Sequence, residues 1–255
     1  MPDEIKGGAE SILVVSDNPE LSLFLKKEVE SIRSCAAMRI DFRYSNANSD
    51  PAQMIEFGAE PIDLKDPKAV DMVIQQYDLA LSVHCKQIFP RRLLDNVCCI
   101  NFHPGFNPFN RGWYPQAFSL VNGHPFGATI HIMTTKIDHG PIIDQEQVSV
   151  DPCDTSLELY RKVIETEKGL IHRNIATILS GAYHSSLPNH EGNYNSLKDY
   201  RALCRLDLSD QGTLGEHLNL LRATSHGAYK NAYFLGQDGR RYFVHIEIAM
   251  EETCQ

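Results

Sequence analysis

Apolar runs of strand length alternate with segments of helical spacing in the first half of the chain. Such runs predict strands over residues 11–16, 38–44, 79–83, 97–102, 127–133 and 141–150. The apolar positions between them predict helices over residues 21–29, 69–77 and 90–94. Because strands that alternate with helices build parallel sheets, the pattern predicts an α/β fold, with a Rossmann-like, mostly parallel sheet flanked by helices.

A longer helix is predicted after the last of these strands. Thr155 and Glu158 have the spacing of a capping box, and Gly181 is the expected stop. Apolar residues recur at helical spacing between these points, so we interpret the interior of this helix as core scaffold. We expect it to carry no chemistry.

The composition becomes polar over residues 183–200, which predicts a connection rather than a packed element. Beyond it, residues 215–223 predict a small helix, and the turn Gly236–Gly239 lies between two strand-like segments, 229–235 and 240–248, which predict a β-hairpin. We therefore divide the chain into a catalytic domain, residues 1–182, and a C-terminal extension, residues 183–255.

Charge and cysteine content narrow the class of protein. The 255 residues carry a formal net charge of −9, which argues against a nucleic-acid partner and disfavours a tRNA substrate. Seven cysteines without a C-x-x-C pair predict reduced thiols. No apolar run approaches the roughly 20 residues of a membrane span, and the first ten residues are polar, so we expect a cytoplasmic protein without membrane contact.

Candidate chemistry lies at the end of the strand predicted over residues 97–102. Alternate strand residues share a face, so Asn101 and His103 should project into one crevice at the carboxyl edge of the sheet, where open α/β sheets bind ligands. An amide and an imidazole suit acyl transfer, because the amide can stabilise an oxyanion and the imidazole can move a proton. A histidine at a strand end is also a common structural residue, so the pair alone leaves both interpretations open.

A second part of the pattern is the segment Ile137–Ile143, which contains Asp138 and Gly140 between two apolar runs. A carboxylate in this loop could orient His103 and stabilise its protonated form. An isolated Asp-x-Gly is usually only a turn. Neither G-x-G-x-x-G nor a P-loop motif follows the predicted strands, which counts against a dinucleotide or nucleoside-triphosphate site.

Together, Asn101-x-His103-Pro104, the strand Gly127-x-Thr129-Ile130-His131 and Asp138-x-Gly140-Pro141-Ile142-Ile143 resemble the folate-dependent formyltransferase family over about residues 10–182. The resemblance implies Asn101, His103 and Asp138 as catalytic residues and N10-formyltetrahydrofolate as formyl donor, with no metal. It implies that His103 moves a proton and contacts the oxyanion, Asn101 orients the formyl oxygen, and Asp138 holds the imidazole and a bridging water.

The resemblance also implies two sets of binding residues. The folate pocket would be formed by Cys85, Gln87, Ile88, Phe89, Pro90, Leu93, Ile137, His139 and Gly140. The loop after His103 and the C-terminal segment are similar to those of the sugar N-formyltransferases, and would supply acceptor contacts from Asn110, Arg111, Gly112, Trp113, Tyr114, Gln116, Tyr229, Lys230 and Asn231.

The resemblance is strongest to family members acting on dTDP-4-amino-4,6-dideoxyglucose, whose formylated product enters bacterial surface polysaccharide (O-antigen). It implies a dTDP-linked amino sugar as acceptor and a homodimer, with residues 183–255 serving dimerisation and nucleotide contact. A 3-amino sugar or the 4-epimer stays open as acceptor. A methionyl-tRNA or other amine formyltransferase, a formyltetrahydrofolate deformylase, and a nucleotide-binding module without turnover also stay open as functions.

Overall fold

The computed structural model describes residues 8–32 and 38–251, so Cys35 and Cys254 lie outside the described residues. Within this part, seven strands form one sheet in the order β3-β2-β1-β4-β5-β7-β8. Their bounds are β1 Ser11–Ser16, β2 Arg39–Ser45, β3 Glu60–Ile62, β4 Leu79–Val83, β5 Cys98–His103, β7 Phe126–Ile132 and β8 Ile142–Val148. Two further pairs of short strands lie apart from it: β6 Arg111–Gly112 with β9 Tyr194–Asn195, and β10 Tyr233–Leu235 with β11 Arg241–Phe243.

The helices of the described residues lie on both faces of the sheet and in the C-terminal extension. Their bounds are α1 Pro19–Ser31, α2 Ala52–Glu56, α3 Pro67–Gln76, α4 Arg91–Leu94, α5 Pro115–Asn122, α6 Ser156–Ser180, α7 Leu197–Leu203 and α8 Leu214–Thr224.

Strands β1 to β5 of the large sheet are parallel, whereas β7 pairs antiparallel with both β5 and β8. Strands β4 and β5 are buried along their whole length, as is usual for parallel strands covered by helices on both faces. The prediction of a mostly parallel α/β sheet with a small C-terminal helix and hairpin is confirmed.

The core has two layers because alternate strand residues point to opposite faces. One layer includes Ile100 and Phe102 of β5 and packs against α1 and α6. The other includes Cys99 of β5 and packs against residues of α3 and α4. Cys98 and Cys99 are 7% and 2% exposed and fill core positions, as predicted.

Helix α6 begins and ends where the sequence predicts. The Thr155 hydroxyl accepts a hydrogen bond from the Leu157 N–H, and the Glu158 carboxylate accepts one from the Thr155 N–H, which completes the capping box. Gly181 ends the helix with φ +71°, a left-handed conformation that glycine adopts without steric cost. The predicted apolar stripe is buried, but Glu167 within it is also buried.

The segment predicted as a mere connection, residues 183–200, is more ordered than its composition indicates. It contains β9, which pairs in parallel with β6, and α7 begins at Leu197. Polar asparagines such as Asn193 and Asn195 form side-chain hydrogen bonds here instead of facing solvent, and composition alone does not distinguish these two cases. No helix in residues 8–32 and 38–251 is long and apolar enough to cross a membrane.

Candidate active site

The predicted amide and imidazole lie together at the carboxyl edge of the sheet. Asn101 and His103 are alternate residues of β5 and are 9% and 5% exposed. Both point to the same face of the sheet, because the strand places alternate side chains on one side. The pair therefore borders the crevice where ligands of open α/β sheets bind.

Asp138 joins this pair from the loop between β7 and β8. Its Oδ1 accepts a hydrogen bond of 3.1 Å from Asn101 Nδ2, and its Oδ2 accepts one of 3.0 Å from the Gly112 N–H. The Oδ2 atom lies 3.6 Å from His103 Nδ1, too far for a strong hydrogen bond but close enough for electrostatic attraction. The structure thus brings together the three residues that the sequence singles out as catalytic candidates.

Asp138 is ionised in this setting. Burial alone would raise the pKa of its carboxyl, but the neighbouring His103 and His131 imidazoles and the Gly112 N–H outweigh burial and hold the pKa below its usual range. Its φ is +49°, in the left-handed region that a residue other than glycine occupies only when its surroundings fix it. The hydrogen bonds from Asn101 and Gly112 provide that fixation.

The Asp138 carboxylate favours the protonated form of His103, as predicted, but burial favours the neutral form more strongly. Burial lowers the pKa of His103 to about 4, and the raising effect of Asp138 does not compensate. The ring nitrogen Nε2 is buried without a hydrogen-bond partner among the described residues. It lies beside Gly105, where an added Cβ would come within 2.4 Å of it, so glycine keeps this side of the ring open.

The lowered pKa of His103 gives an expected titration. In the unfolded chain His103 takes up a proton below its usual pKa of about 6.5, whereas in the folded protein it stays neutral down to about pH 4. The free energy of unfolding is therefore unaffected by His103 above about pH 6.5 and decreases as the pH falls from about 6.5 to about 4. NMR of the histidine rings should show His103 neutral at pH 6, and its signal is identified as the one that is absent from the spectrum of His103→Asn. A titration midpoint near pH 6.5 for this signal in the wild-type protein would contradict the buried, neutral state.

His131 belongs to the cluster although the sequence did not single it out as catalytic. It is 1% exposed on β7, and its Nδ1 lies 3.0 Å from the Ile132 carbonyl oxygen. Its Nε2 lies 3.3 Å from Asn101 Nδ2 and 3.5 Å from Asp138 Oδ1. The register pair Asn101–His131 between β5 and β7 makes this contact, which spacing along the chain does not reveal.

The loop after His103 is held mainly by asparagines. Asn110, 1% exposed with φ +51°, accepts hydrogen bonds from the side-chain amides of Asn122, Asn193 and Asn195, and donates to Ser119. The Asn110 amide is therefore hydrogen-bonded to other side chains of the protein, and these bonds fix the conformation of the loop. Asn110 was predicted as an acceptor contact, and in this structure it positions the residues beside it.

Arg111 connects the same loop to the Asp138 loop. It is 7% exposed, and its guanidinium donates to the Ile137 carbonyl at 3.0 Å and to the Glu191 carbonyl at 3.3 Å. Gly112 follows in β6 and donates its N–H to Asp138. The β6–β9 pair and these bonds thus connect the loop, Asp138 and the segment around Glu191 into one unit.

Aromatic residues follow this unit. Tyr114 stacks on Tyr200 of α7 with ring centroids 3.9 Å apart, and Trp113 beside it is 38% exposed. Gln116 is buried and donates to the Ser156 hydroxyl at 3.4 Å. Of these side chains, Trp113 has the surface available for a ligand.

Trp113→Ala should therefore weaken sugar-nucleotide binding more than binding of the formyl donor. The ring offers a large contact surface, whereas its loss leaves the Tyr114–Tyr200 stack in place. Calorimetric titration of both ligands measures the two effects, with Ile55→Ala, which shortens an exposed apolar side chain on α2, as the control. Equal losses for the two ligands would contradict an acceptor-side role.

The residues predicted for the folate pocket differ in how they are placed. Ile88 is 73% exposed, whereas Phe89 and Leu93 are 2% and 0% exposed and lie in the core with α3 and α4. Gln87 is bonded to the backbone of Leu64 and Ile62 beside β3. Burial raises the pKa of the Cys85 thiol to about 12, so the thiol stays protonated. The remaining members of the set are Pro90, which precedes α4, and Ile137, His139 and Gly140, which flank Asp138.

The C-terminal residues predicted for nucleotide contact lie just after α8. Tyr229 is 71% exposed, the Lys230 ammonium lies 5.9 Å from the centre of the Phe243 ring, and Asn231 donates to the Thr224 carbonyl at 3.2 Å. Tyr229 also contacts the ring of His226, whose Nδ1 lies 3.1 Å from the Ser156 hydroxyl at the start of α6. This segment therefore reaches the carboxyl side of the sheet through α6.

Two kinds of irregularity concentrate around the crevice. In the described residues, the non-glycine residues with positive φ are His84, Asn110, Tyr114 and Asp138. Apart from Asp71, which is paired with Arg92, the buried side-chain atoms without a hydrogen-bond partner there belong to His103, Asn107, Arg111 and Glu167. Strained backbone and unsatisfied polar atoms are costly, and they are typical of functional sites.

Comparison with known proteins agrees with this geometry. Residues 3–175 match the model of the formyl transferase family, and residues 199–250 match that of the N-formyltransferase dimerization C-terminal domain. The chain belongs to the formyl transferase family. It is 43% identical over 183 residues to a Mycobacterium bovis protein named dTDP-4-amino-4,6-dideoxyglucose formyltransferase, a match that covers 72% of this chain and 78% of the relative.

Solved structures of the same family are also similar over nearly the whole chain. A sugar N-formyltransferase from a Shewanella species is 42% identical, with a TM-score of 0.91 and coverage of 95% of this chain and 99% of that one. A 4-N formyltransferase from Francisella tularensis is 40% identical, with a TM-score of 0.89 and the same coverage. The family match spans Asn101, His103 and Asp138.

Proposed function

We propose that this formyl transferase moves a formyl group from N10-formyltetrahydrofolate to the 4-amino group of dTDP-4-amino-4,6-dideoxyglucose. The observation that carries the proposal is the buried cluster of Asn101, His103 and Asp138 at the carboxyl edge of the sheet. The activity named for the Mycobacterium bovis relative supports the choice of acceptor. The deformylase and the non-catalytic module are the competing outcomes of the test below, and the net charge of −9 disfavours the tRNA enzyme.

The residues of the cluster fit an acyl donor. Because Asp138 faces His103 Nδ1, the unpaired ring nitrogen Nε2 is suited to accept a proton from the reacting nitrogen and, once protonated, to donate a hydrogen bond to the formyl oxygen. Asn101 donates to Asp138 and thereby fixes the carboxylate that faces the other ring nitrogen. The bound donor supplies the formyl carbon, and the segments Cys85–Pro90 and Ile137–Gly140 would hold it, with Leu93 supporting the first of them from the core.

The acceptor would bind on the side of the Trp113 loop and the C-terminal segment. Arg111 and Gly112 hold the loop to Asp138, so a sugar placed against Trp113 would lie near the cluster. Tyr229 and Lys230 are exposed on the segment after α8 and are suited to contact the base and diphosphate of dTDP. Asn110, Tyr114, Gln116 and Asn231 support this surface through the contacts described above.

The two regions matched by family models support a proposal for the domains and the assembly. We propose that residues 1–182 form the catalytic domain and that residues 183–255 make the contact between the subunits of a homodimer, because a dimerization domain matches residues 199–250. The exposed aromatic side chains of the hairpin, Tyr242 and Phe243, support this assignment. The product would serve bacterial surface polysaccharide synthesis, in the cytoplasm where nucleotide sugars are made.

The test is mass spectrometry of reactions that contain the purified protein, N10-formyltetrahydrofolate and one dTDP-sugar with its amine at C-3 or C-4. A product heavier by the mass of CO on the 4-amino-4,6-dideoxyglucose derivative is the expected result. A gain on the 3-amino sugar or the 4-epimer alone would change the acceptor. Release of formate without acceptor would indicate a deformylase, and no change in either ligand would indicate a binding module.

A further inference from the structure

A second imidazole–carboxylate pair borders the same crevice. His84 directly follows β4, and its Nε2 lies 2.6 Å from Oε2 of Glu167 on α6. The His84 and Glu167 side chains are 10% and 1% exposed. A buried carboxylate in the middle of a core helix is costly unless it is paired, so the contact is a specific feature and not a surface ion pair.

The sheet register places this pair beside His103. Val83 of β4 pairs with Phe102 of β5, so the next residues, His84 and His103, occupy neighbouring positions at the ends of adjacent parallel strands. His84 has φ +53°, and its ring contacts Glu167 and Tyr160 of α6. Helix α6 packs on the face of the sheet opposite to the one on which Asn101 and His103 lie. The two imidazoles thus border the crevice from its two sides.

The pairing fixes which ring nitrogen of His84 is available. A carboxylate at Nε2 favours the tautomer that carries its hydrogen there, which leaves a lone pair on Nδ1. Among the described residues, no hydrogen bond to His84 Nδ1 is formed, and the second oxygen of Glu167, Oε1, is likewise buried without a partner. His84 therefore has the arrangement of a general base supported by a buried carboxylate.

Formyl transfer to an amine requires such a base. An aliphatic amine is largely protonated near neutral pH and must lose a proton before its nitrogen can form the new bond to carbon. The same nitrogen loses a second proton once it has bonded to the formyl carbon, and His103, whose Nε2 the protein leaves unpaired, is placed to move that one. The cluster around Asp138 thus accounts for one of the two proton transfers and leaves the first without an assigned residue.

We propose that His84 Nδ1 accepts the proton of the acceptor ammonium, and that Glu167 is the positioning residue that orients His84 and balances its charge. The N–H bond of the ammonium breaks, its electron pair remains on the amine nitrogen, and the proton forms a new bond to Nδ1. No oxidant or further reactant is needed. This assignment rests on the proposed function, since it requires an amine acceptor.

Titratable groups face His84 from each neighbouring element. Glu167 and Tyr160 approach from α6, His103 from β5, and Asp17 follows β1 at the next register position. Burial raises the pKa of Glu167, and the partly buried Tyr160 hydroxyl also has a raised pKa, chiefly through burial. Removing the Glu167 charge should affect His84 more than the other groups, because His84 is its direct hydrogen-bond partner.

The experiment compares kcat and KM across pH for the wild-type chain and for His84→Asn, His84→Gly and Glu167→Gln. Asparagine and glycine both tolerate positive φ, so these replacements preserve the local backbone. The matched control is the surface pair His172–Glu28, 2.9 Å apart, which also connects α6 to a neighbouring element. His172→Asn and Glu28→Gln are the control variants.

We expect kcat of both His84 variants to fall by about 100-fold, with KM for the formyl donor unchanged and with partial rescue of His84→Gly by added imidazole. Glu167→Gln should move the acidic limb of kcat/KM to lower pH, because the imidazolium loses its counter-charge. Losses no larger than those of the controls, or losses equal at every pH and not relieved by imidazole, would overturn the inference. A wild-type chain that formylates no sugar would contradict the proposed function itself, and the inference would fall with it.

Discussion

Replacing His103 with asparagine should lower kcat for formyl transfer at least about 100-fold, equivalent to about 2.7 kcal/mol of transition-state stabilisation. His103 Nε2 is the buried polar atom of the Asn101–His103–Asp138 cluster that the protein leaves unpaired, and it is the atom that can contact the reacting oxygen. Asparagine keeps a polar side chain in the pocket but withdraws the ring from that position. Steady-state kinetics with both substrates measure the effect.

The fold should survive this change, because the backbone of β5, and not the His103 ring, pairs this strand with β4 and β7. Circular dichroism and thermal unfolding of the variant check that expectation. His172→Asn on the surface of α6 repeats the same substitution away from the crevice. Turnover of His103→Asn close to that of this control would remove His103 from the catalytic assignment.

Asp138→Asn should be at least as damaging, with a loss of about 100-fold or more in kcat. The carboxylate accepts hydrogen bonds from Asn101 and from the Gly112 N–H and attracts both His103 and His131. Asparagine tolerates the left-handed backbone at this position, so the loop conformation is retained while the charge is lost. The new amide N–H2 group also replaces one of the two carboxylate oxygens that accept hydrogen bonds from Asn101 and Gly112, so one of these donors loses its acceptor.

The pH dependence separates a charge effect from a disturbed loop. Because the pKa of Asp138 lies below its usual range, the wild-type carboxylate stays ionised through the whole working range, and the loss in Asp138→Asn should be the same at pH 6 and pH 8. Asp95→Asn, which removes an exposed carboxylate paired with Arg91, is the matched control. Activity of Asp138→Asn comparable to that control would show that the charge is not required.

The elements that could be predicted were those with strong local patterns. Buried strands such as β4 and β5 are uninterrupted apolar runs, and α6 has a capping box, an apolar stripe and a terminal glycine. The short elements β3, β6, β9, α2 and α7 lacked such a pattern, because their stability comes from contacts with distant segments. Tyr200 of α7, for example, is held by its stack on Tyr114.

The sequence by itself determined that Asn101 and His103 lie on one face at the end of a strand, since alternation along one strand is a local property. It indicated Asp138 through the resemblance of its motifs, in their order along the chain, to those of the formyltransferase family. It could not determine how these groups ionise, because the pKa of His103 depends on the burial that all surrounding elements produce together. It could not show that His131 contacts Asn101 or that Glu167 pairs with His84 either. Their positions come from the pairing of β5 with β7 and the packing of α6 near β4, which join residues 30 and 83 positions apart. Only the tertiary structure decides contacts between segments so far apart, because no periodicity along the chain encodes them.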